Sequence, residues 1–233
     1  MDAASAPPFA VRAYPSRSNG MKMSDLTKPN EFSRTPADAI LQLASRFAIV
    51  AACLGLLAVG ASPARADGIE AKAQICAGCH GENGVPSEKT TPVIWGQNQG
   101  YLYIQLRDFK RGTRKNEFMS QIVADLDRDD MMALAEYFSK KPWPDLGQPR
   151  APKEVAAQAL VANESVGCAG CHLDAFQGDG TVPRLAGQSR AYLDKTIADL
   201  RARTRANNPG MSDLMNATAP ADLAALAQYL AGM

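Results

Sequence analysis

Apolar residues recur at three- and four-residue spacing over residues 98–111, 128–139, 189–204 and 220–231. That is the period of an amphipathic helix, and no stretch alternates apolar with polar residues as a half-buried strand does. Two further segments predict helices, Asp67 to about Ala77 and about Lys153 to Cys168, and Asp127 and Thr218 are expected to start the last helix of each set. The chain is therefore expected to be all-α. The segments come in pairs. "PVIWGQNQGYLYIQLRDFKRGTRKNEFM" is similar to "PRLAGQSRAYLDKTIADLRARTRANNPGM", and "DDMMALAEYF" to "ADLAALAQYL". Gly96-Gln97 matches Gly187-Gln188, Tyr101-Leu102 matches Tyr192-Leu193, and Arg114 and Asn116 match Arg205 and Asn207. Two copies make two domains, not a solenoid. Between them lies "KKPWPDLGQPRAPKE", whose prolines and glycine predict an extended linker with Trp143 as a packing anchor. The expected domains are 67–140 and 153–233, joined by a linker over 141–152.

The first 66 residues read differently. Residues 1–46 are rich in Ala, Ser, Pro and Arg without periodicity, and Phe47–Ala61 is an apolar run of 15 residues. That run fits the apolar region of a signal peptide and is short for a membrane span. Ala64-Arg65-Ala66 then reads as a cleavage site that leaves Asp67 first. Residues 1–66 are expected to be a leader, which implies export to the periplasm. An uncleaved anchor and lipidation at Cys53 compete with this reading, but most of the apolar run follows Cys53, the wrong side for a lipidation signal.

Each copy contains Cys-Ala-Gly-Cys-His, at Cys76–His80 and again at Cys168–His172. This is the pattern of covalent c-type haem attachment. Thiols at that spacing reach the two vinyl groups of one porphyrin, and the adjacent histidine supplies a proximal nitrogen to iron. The chain has two histidines, both in these motifs, so bis-histidine ligation within the chain is excluded. Methionine is the expected sixth ligand. Met119 and Met211 each lie 39 residues beyond their histidine. Met131, Met132 and Met215 find no methionine at the matching place and are read as packing residues, with Met215 the main competitor to Met211. A zinc site of four thiolates would leave the adjacent histidines and the equal methionine spacing unexplained. A thioredoxin-like pair expects a βαβ context that is absent here. The expected cofactors are two covalent haem c groups, held by Cys76, Cys79, His80, Cys168, Cys171 and His172, with iron between His80 and Met119 and between His172 and Met211.

Charge removes other classes. Residues 67–233 carry 18 Lys/Arg and 20 Asp/Glu, a formal charge of −2, which does not suggest a nucleic-acid partner. Arg107, Lys110, Arg111, Arg114 and Lys115, and then Arg201, Arg203 and Arg205, precede the two methionines. They are read as solvated helix ends, or as groups that pair with propionates or steer a partner. Ile75, Ile94, Trp95, Leu102, Leu106, Ile122, Leu134 and Tyr137 are expected to pack around the first haem.

Together the two motifs, the methionine spacing and the closing "LAEYF"/"LAQYL" helix resemble the dihaem cytochrome c4 family over Asp67–Met233. The resemblance implies two tandem class I cytochrome c domains related by a pseudo-twofold axis, each wrapped around one covalent haem. It also implies a periplasmic one-electron carrier that is not an enzyme. The implied partners are redox proteins: a quinol-oxidising complex or a dehydrogenase as donor, and a terminal oxidase as acceptor. A monomer is expected, with peripheral membrane association left open. In class I cytochromes a proline carbonyl accepts the proximal histidine's second N–H, and Pro92 and Pro183, 12 and 11 residues after the histidines, fit that role. Two alternatives remain: an electron-accepting subunit of a periplasmic dehydrogenase complex, and a dihaem peroxidase. The second would need an open iron and usually more histidines.

Overall fold

The computed structural model describes residues 64–233 of the chain, with side chains from Gly68 onward. Of the expected leader over 1–66, all but the last three residues lie outside the described residues. The described residues contain nine helices and no strand beyond an isolated bridge between Asp179 and Val182. In chain order the helices are α1 Ala64–His80, α2 Gln99–Arg111, α3 Glu117–Ile122, α4 Arg128–Ser139, α5 Lys153–Val166, α6 Ala169–His172, α7 Arg190–Arg201, α8 Pro209–Ala217 and α9 Pro220–Ala231. Residues 64–233 belong to one compact unit.

The duplication extends to packing. In the first half α4 packs on α1 and α2; in the second α9 packs on α5 and α7. α4 buries Met131, Leu134, Ala135 and Phe138, and α9 buries Leu223, Leu226, Ala227 and Leu230, the same four positions 92 residues on. This i, i+3, i+4, i+7 stripe is what a helix offers to a core. The alanine in each stripe, 1% exposed at Ala135 and 0% at Ala227, lets the neighbouring helix approach closely.

Several local expectations are corrected. α1 begins at Ala64 and runs through the whole cysteine motif to His80. In the second copy the helix stops at Val166, because Gly167 adopts φ +77 and closes it with a bond from its N–H to Asn163 O. The motif there sits on the separate turn α6. Gly167 stands where the first copy has Ile75, so one residue decides whether the helix is continuous. Thr218 is not a helix start. It caps the end of α8, donating its hydroxyl to Leu214 O at 2.8 Å, and α9 begins with Pro220 at its first turn. Asp127 does cap α4, accepting from the Asp130 N–H at 2.7 Å.

Two members of the expected first core face outward, Ile75 at 61% exposure and Ile122 at 42%. On α1 the inner face is Ala73, Cys76, Ala77 and His80, which leaves Ile75 off the stripe. At the end of α3 the neighbouring Val123, 0% exposed, takes the interior place. The linker is packed down. Gln148 donates to Gln188 O and Ala231 O at 2.9 and 3.0 Å and accepts from the Arg190 N–H at 2.8 Å. Arg184 lies over the Trp143 ring at 4.5 Å.

Candidate haem sites

His80 and His172 are buried, 8% and 6% exposed, and are held alike. His80 Nδ1 lies 2.8 Å from Pro92 O, and His172 Nδ1 lies 3.0 Å from Pro183 O. A carbonyl only accepts, so Nδ1 carries the proton in both rings and Nε2 keeps its lone pair. Burial pushes both imidazole pKa values below the ordinary histidine range, which favours the neutral, ligating form. The four thiols are unbridged. Burial raises the Cys76 thiol to about 11 and moves the Cys168 thiol in the same direction. A redox dithiol or zinc site uses thiolates. No group of three or more His, Cys, Asp or Glu side chains that could hold a metal ion occurs among the described residues. The two cysteine pairs are therefore not gathered into one zinc centre.

Met119 and Met211 lie on the first turns of the short helices α3 and α8. Each is pinned by an asparagine N-cap. Asn116 Oδ1 accepts the Met119 N–H at 3.0 Å, and Asn208 Oδ1 accepts the Met211 N–H at 3.1 Å. The sequence match had set Asn207 opposite Asn116. Asn208 is the structural equivalent, while Asn207 donates to Gln105 and Asp108. The far ends of these helices are tied by a shared device that sequence reasoning missed. Lys110, in the last turn of α2, donates to Ala124 O at 3.1 Å and to Leu126 O. Arg201, its counterpart in α7, donates to Thr218 O at 2.9 Å and to Met215 O. Met215 itself is 7% exposed and packs in the core with Leu200, Leu223 and Leu226.

The other basic residues are largely engaged too. Arg114 donates to Gln105 at 2.8 Å and to Tyr192 OH at 3.1 Å, and Arg205 donates to Tyr101 OH at 3.2 Å. Arg107 pairs with Asp108 and Arg203 with Asp213. The Arg114–Tyr192 and Arg205–Tyr101 bonds cross between the halves reciprocally, as a pseudo-twofold relation requires.

The pockets differ by an exchange of large and small residues. Trp95 packs against Gly84, where an added Cβ would meet the indole at 2.8 Å. In the second half Ala186 replaces Trp95 and the 2%-exposed Phe176 replaces Gly84. At this pair of positions each half thus carries one large ring, Trp95 in the first and Phe176 in the second. The indole N–H of Trp95 and that of Trp143 are buried without a protein acceptor. Buried donors normally find partners, so the Trp95 indole, which packs in one cluster with Cys76, suits an acceptor brought by the cofactor, such as a haem propionate. The residues present fit haem c: paired thiols, an oriented neutral imidazole beside them, and in the first half an indole donor without a protein acceptor.

A search of protein-family models finds no match. Among curated proteins, cytochrome c4 of Pseudomonas aeruginosa is 30% identical over 191 residues, covering 77% of this chain and 94% of its own. The chain belongs to the cytochrome c4 family. The crystal structure of reduced cytochrome c4 from Pseudomonas stutzeri superposes with a TM-score of 0.63 at 27% identity, covering 72% of this chain and 97% of that one. A protein of Stutzerimonas stutzeri named "thiosulfate dehydrogenase electron acceptor" is 32% identical over 185 residues, covering 75% of this chain and 82% of its own. As a cytochrome c4 the chain is an all-α pair of class I cytochrome c domains, a dihaem electron-transfer protein with two covalent haem c groups.

Proposed function

We propose that this cytochrome c4 is a periplasmic one-electron carrier in which His80 and Met119 ligate one iron and His172 and Met211 the other. One observation carries the reading: both halves hold a buried histidine by Nδ1 to a proline carbonyl and a methionine by its backbone N–H to an asparagine cap. The haem, when bound, supplies the one-electron couple. The chain's own residues do the rest. Pro92 and Pro183 fix each imidazole with Nε2 free and raise its basicity. The caps and the Lys110 and Arg201 contacts hold each methionine helix at both ends. With His80 and Met119 holding one iron and His172 and Met211 the other, the chain would supply every ligand beyond the porphyrin, which would leave no place for peroxide or oxygen to bind and would keep rearrangement on electron transfer small.

For the acceptor we propose a terminal oxidase, on the family resemblance. For the donor, the Stutzerimonas relative favours a periplasmic dehydrogenase; a quinol-oxidising complex fills the same role. No helix among the described residues is long and apolar enough to cross a membrane. Domain limits of 67–140 and 153–233 with the leader ending at Ala66 belong to the same reading, although α1 already begins at Ala64.

The test is a redox titration of the purified holoprotein followed by visible absorption, beside a peroxide-turnover assay. Two reversible one-electron steps at distinct potentials with negligible peroxide consumption are expected. Rapid peroxide turnover by the fully loaded protein would overturn the carrier reading in favour of a peroxidase.

A further inference from the structure

The repeated Gly-Gln pair has a use that haem attachment does not explain. Gln97 and Gln188 are uncharged and buried, each 3% exposed, and each reaches into the opposite half. Gln188 Oε1 accepts the Val93 N–H at 2.9 Å, and its Nε2 donates to Val93 O at 3.0 Å. Gln97 Oε1 accepts the Arg184 N–H at 2.8 Å, and its Nε2 donates to Arg184 O at 2.9 Å. Each glutamine therefore clamps both backbone groups of one residue across the interface. Each also accepts a bond from the next residue's own N–H, at 2.8 Å from Asn98 and 2.9 Å from Ser189. That local bond fixes the side-chain amide before it meets its partner.

The clamped residues are the ones that follow Pro92 and Pro183. The Val93 N–H and the Pro92 C=O belong to one peptide group, as do the Arg184 N–H and the Pro183 C=O. A continuous chain of hydrogen bonds results: His80 Nδ1–H to Pro92 O, through that peptide, and Val93 N–H to Gln188 of the other half. Its mate runs from His172 through the 183–184 peptide to Gln97. Hydrogen bonds in series polarise one another, most where the surroundings are dry. An acceptor on the peptide N–H makes its carbonyl oxygen more negative, which strengthens the bond from the histidine. A stronger bond there makes the imidazole a better donor to iron and favours the ferric state.

We infer that Gln97 and Gln188 are positioning residues that set, crosswise, the electron donation of the proximal histidine in the opposite half. Gln188 acts on the His80 site and Gln97 on the His172 site. The interface is thus a route by which each half tunes the other's potential. The inference rests on His80 and His172 being the proximal ligands.

The experiment compares Gln188→Met and Gln188→Glu with the parent holoprotein, and the matching pair at Gln97. Methionine keeps the volume and removes the acceptor from the Val93 N–H. Glutamate keeps an acceptor there and makes it stronger, while losing the donor to Val93 O. Two readouts are taken: a redox titration, and the imidazole N–H resonances of protein carrying 15N-histidine. With two histidines in the chain, there are two such N–H signals, and the one displaced in Met119→Ala marks the first site. Gln188→Met is expected to raise the potential of the first site by about threefold in its oxidation equilibrium, ~28 mV at 59 mV per tenfold. Gln188→Glu should lower it, and the second site should stay in place in both. The Gln97 variants should do the same to the second site. A purely structural bond would move both variants of a pair in one direction. Same-direction shifts, shifts at the glutamine's own half, or no shift would each overturn the inference. If Gln188→Met fails to fold, the sign of the Gln188→Glu shift still decides. Absence of two shifted imidazole N–H signals in the parent protein would instead refute the ligand reading on which the inference rests.

Discussion

Replacing Asn116 by alanine should loosen the first methionine without touching it. Asn116 has extended backbone, φ −161, and its side chain accepts the Met119 N–H at 3.0 Å. Loss of an asparagine N-cap costs about 1 kcal/mol. That cost falls on a helix of six residues, Glu117–Ile122, none of which is buried, so little else holds its first turn. The Lys110 contacts secure only the far end. About 1 kcal/mol corresponds to roughly a fivefold larger population of the state with the first turn frayed and the methionine withdrawn. A small external ligand binds iron only in that state, so its apparent dissociation constant falls by the same factor of about five. The assay is a titration of the ferric protein with imidazole, followed through the weak sulfur-to-iron absorption in the far red. Asn208→Ala is the internal comparison. α8 has nine residues, Pro209 preset at its first turn, and Ser212 and Met215 buried, so its response should be smaller, about twofold. An unchanged imidazole affinity in Asn116→Ala, or a larger change in Asn208→Ala, would refute the claim that the caps hold the ligating methionines.

Two further outcomes are expected. Met211→Ala should remove about half of the far-red band. Met215→Ala should leave the band intact but cost roughly 2–5 kcal/mol of stability, as a buried core methionine does; the reverse pattern would exchange their roles. Leu173→Gly should raise the denaturation midpoint, since Leu173 sits at φ +65, ψ 166 where the first copy has Gly81. Relief of ~1–3 kcal/mol outweighs the ~0.5–1 kcal/mol entropic cost of glycine, and a lower midpoint would refute the strain.

The stripes at Met131, Leu134, Ala135 and Phe138 and at Leu223, Leu226, Ala227 and Leu230 were legible in the sequence because burial imposes a period. The cysteine motifs were legible because covalent chemistry fixes their spacing. The methionine helices were not. Six to nine residues behind an asparagine cap show too few turns for a period, so what defines α3 and α8 is the Asn side chain bonded three residues on. Register failed at the same place. The offset between copies is 92 at the cysteines, 91 at Gly96-Gln97 and 92 again at the methionines. A residue is thus lost before Pro183 and regained before Asn208, which aligned Asn116 with Asn207 by letter rather than by role. Gly167 could have signalled the break between α5 and α6. The contacts of Gln97, Gln188, Tyr101 and Tyr192 had no local signature, since their partners lie 78 to 104 residues away.

Taken alone, Trp95 in the first half against Ala186 in the second would make one pocket drier than the other. The exchange of Gly84 for Phe176 undoes that argument, because ring volume is restored in the second half by Phe176. What the exchange does not restore is chemistry. A phenyl ring has no donor, whereas the Trp95 indole N–H is buried without a protein partner. Inequivalence of the two sites then rests on hydrogen bonding more than on burial. If Trp95 donates to a propionate, it offsets part of a negative charge that would otherwise favour ferric iron. Trp95→Phe removes the donor and keeps most of the ring. It should lower one of the two steps by several-fold in oxidation equilibrium, tens of mV at about 59 mV per tenfold, and leave the other where it was. The second buried indole, Trp143, lies against Gly187 in the other half and serves as the control: Trp143→Phe should leave the step moved by Trp95→Phe in place. Two steps moving together in Trp95→Phe, or neither moving, would mean that the indole only fills space and that the potentials are set elsewhere.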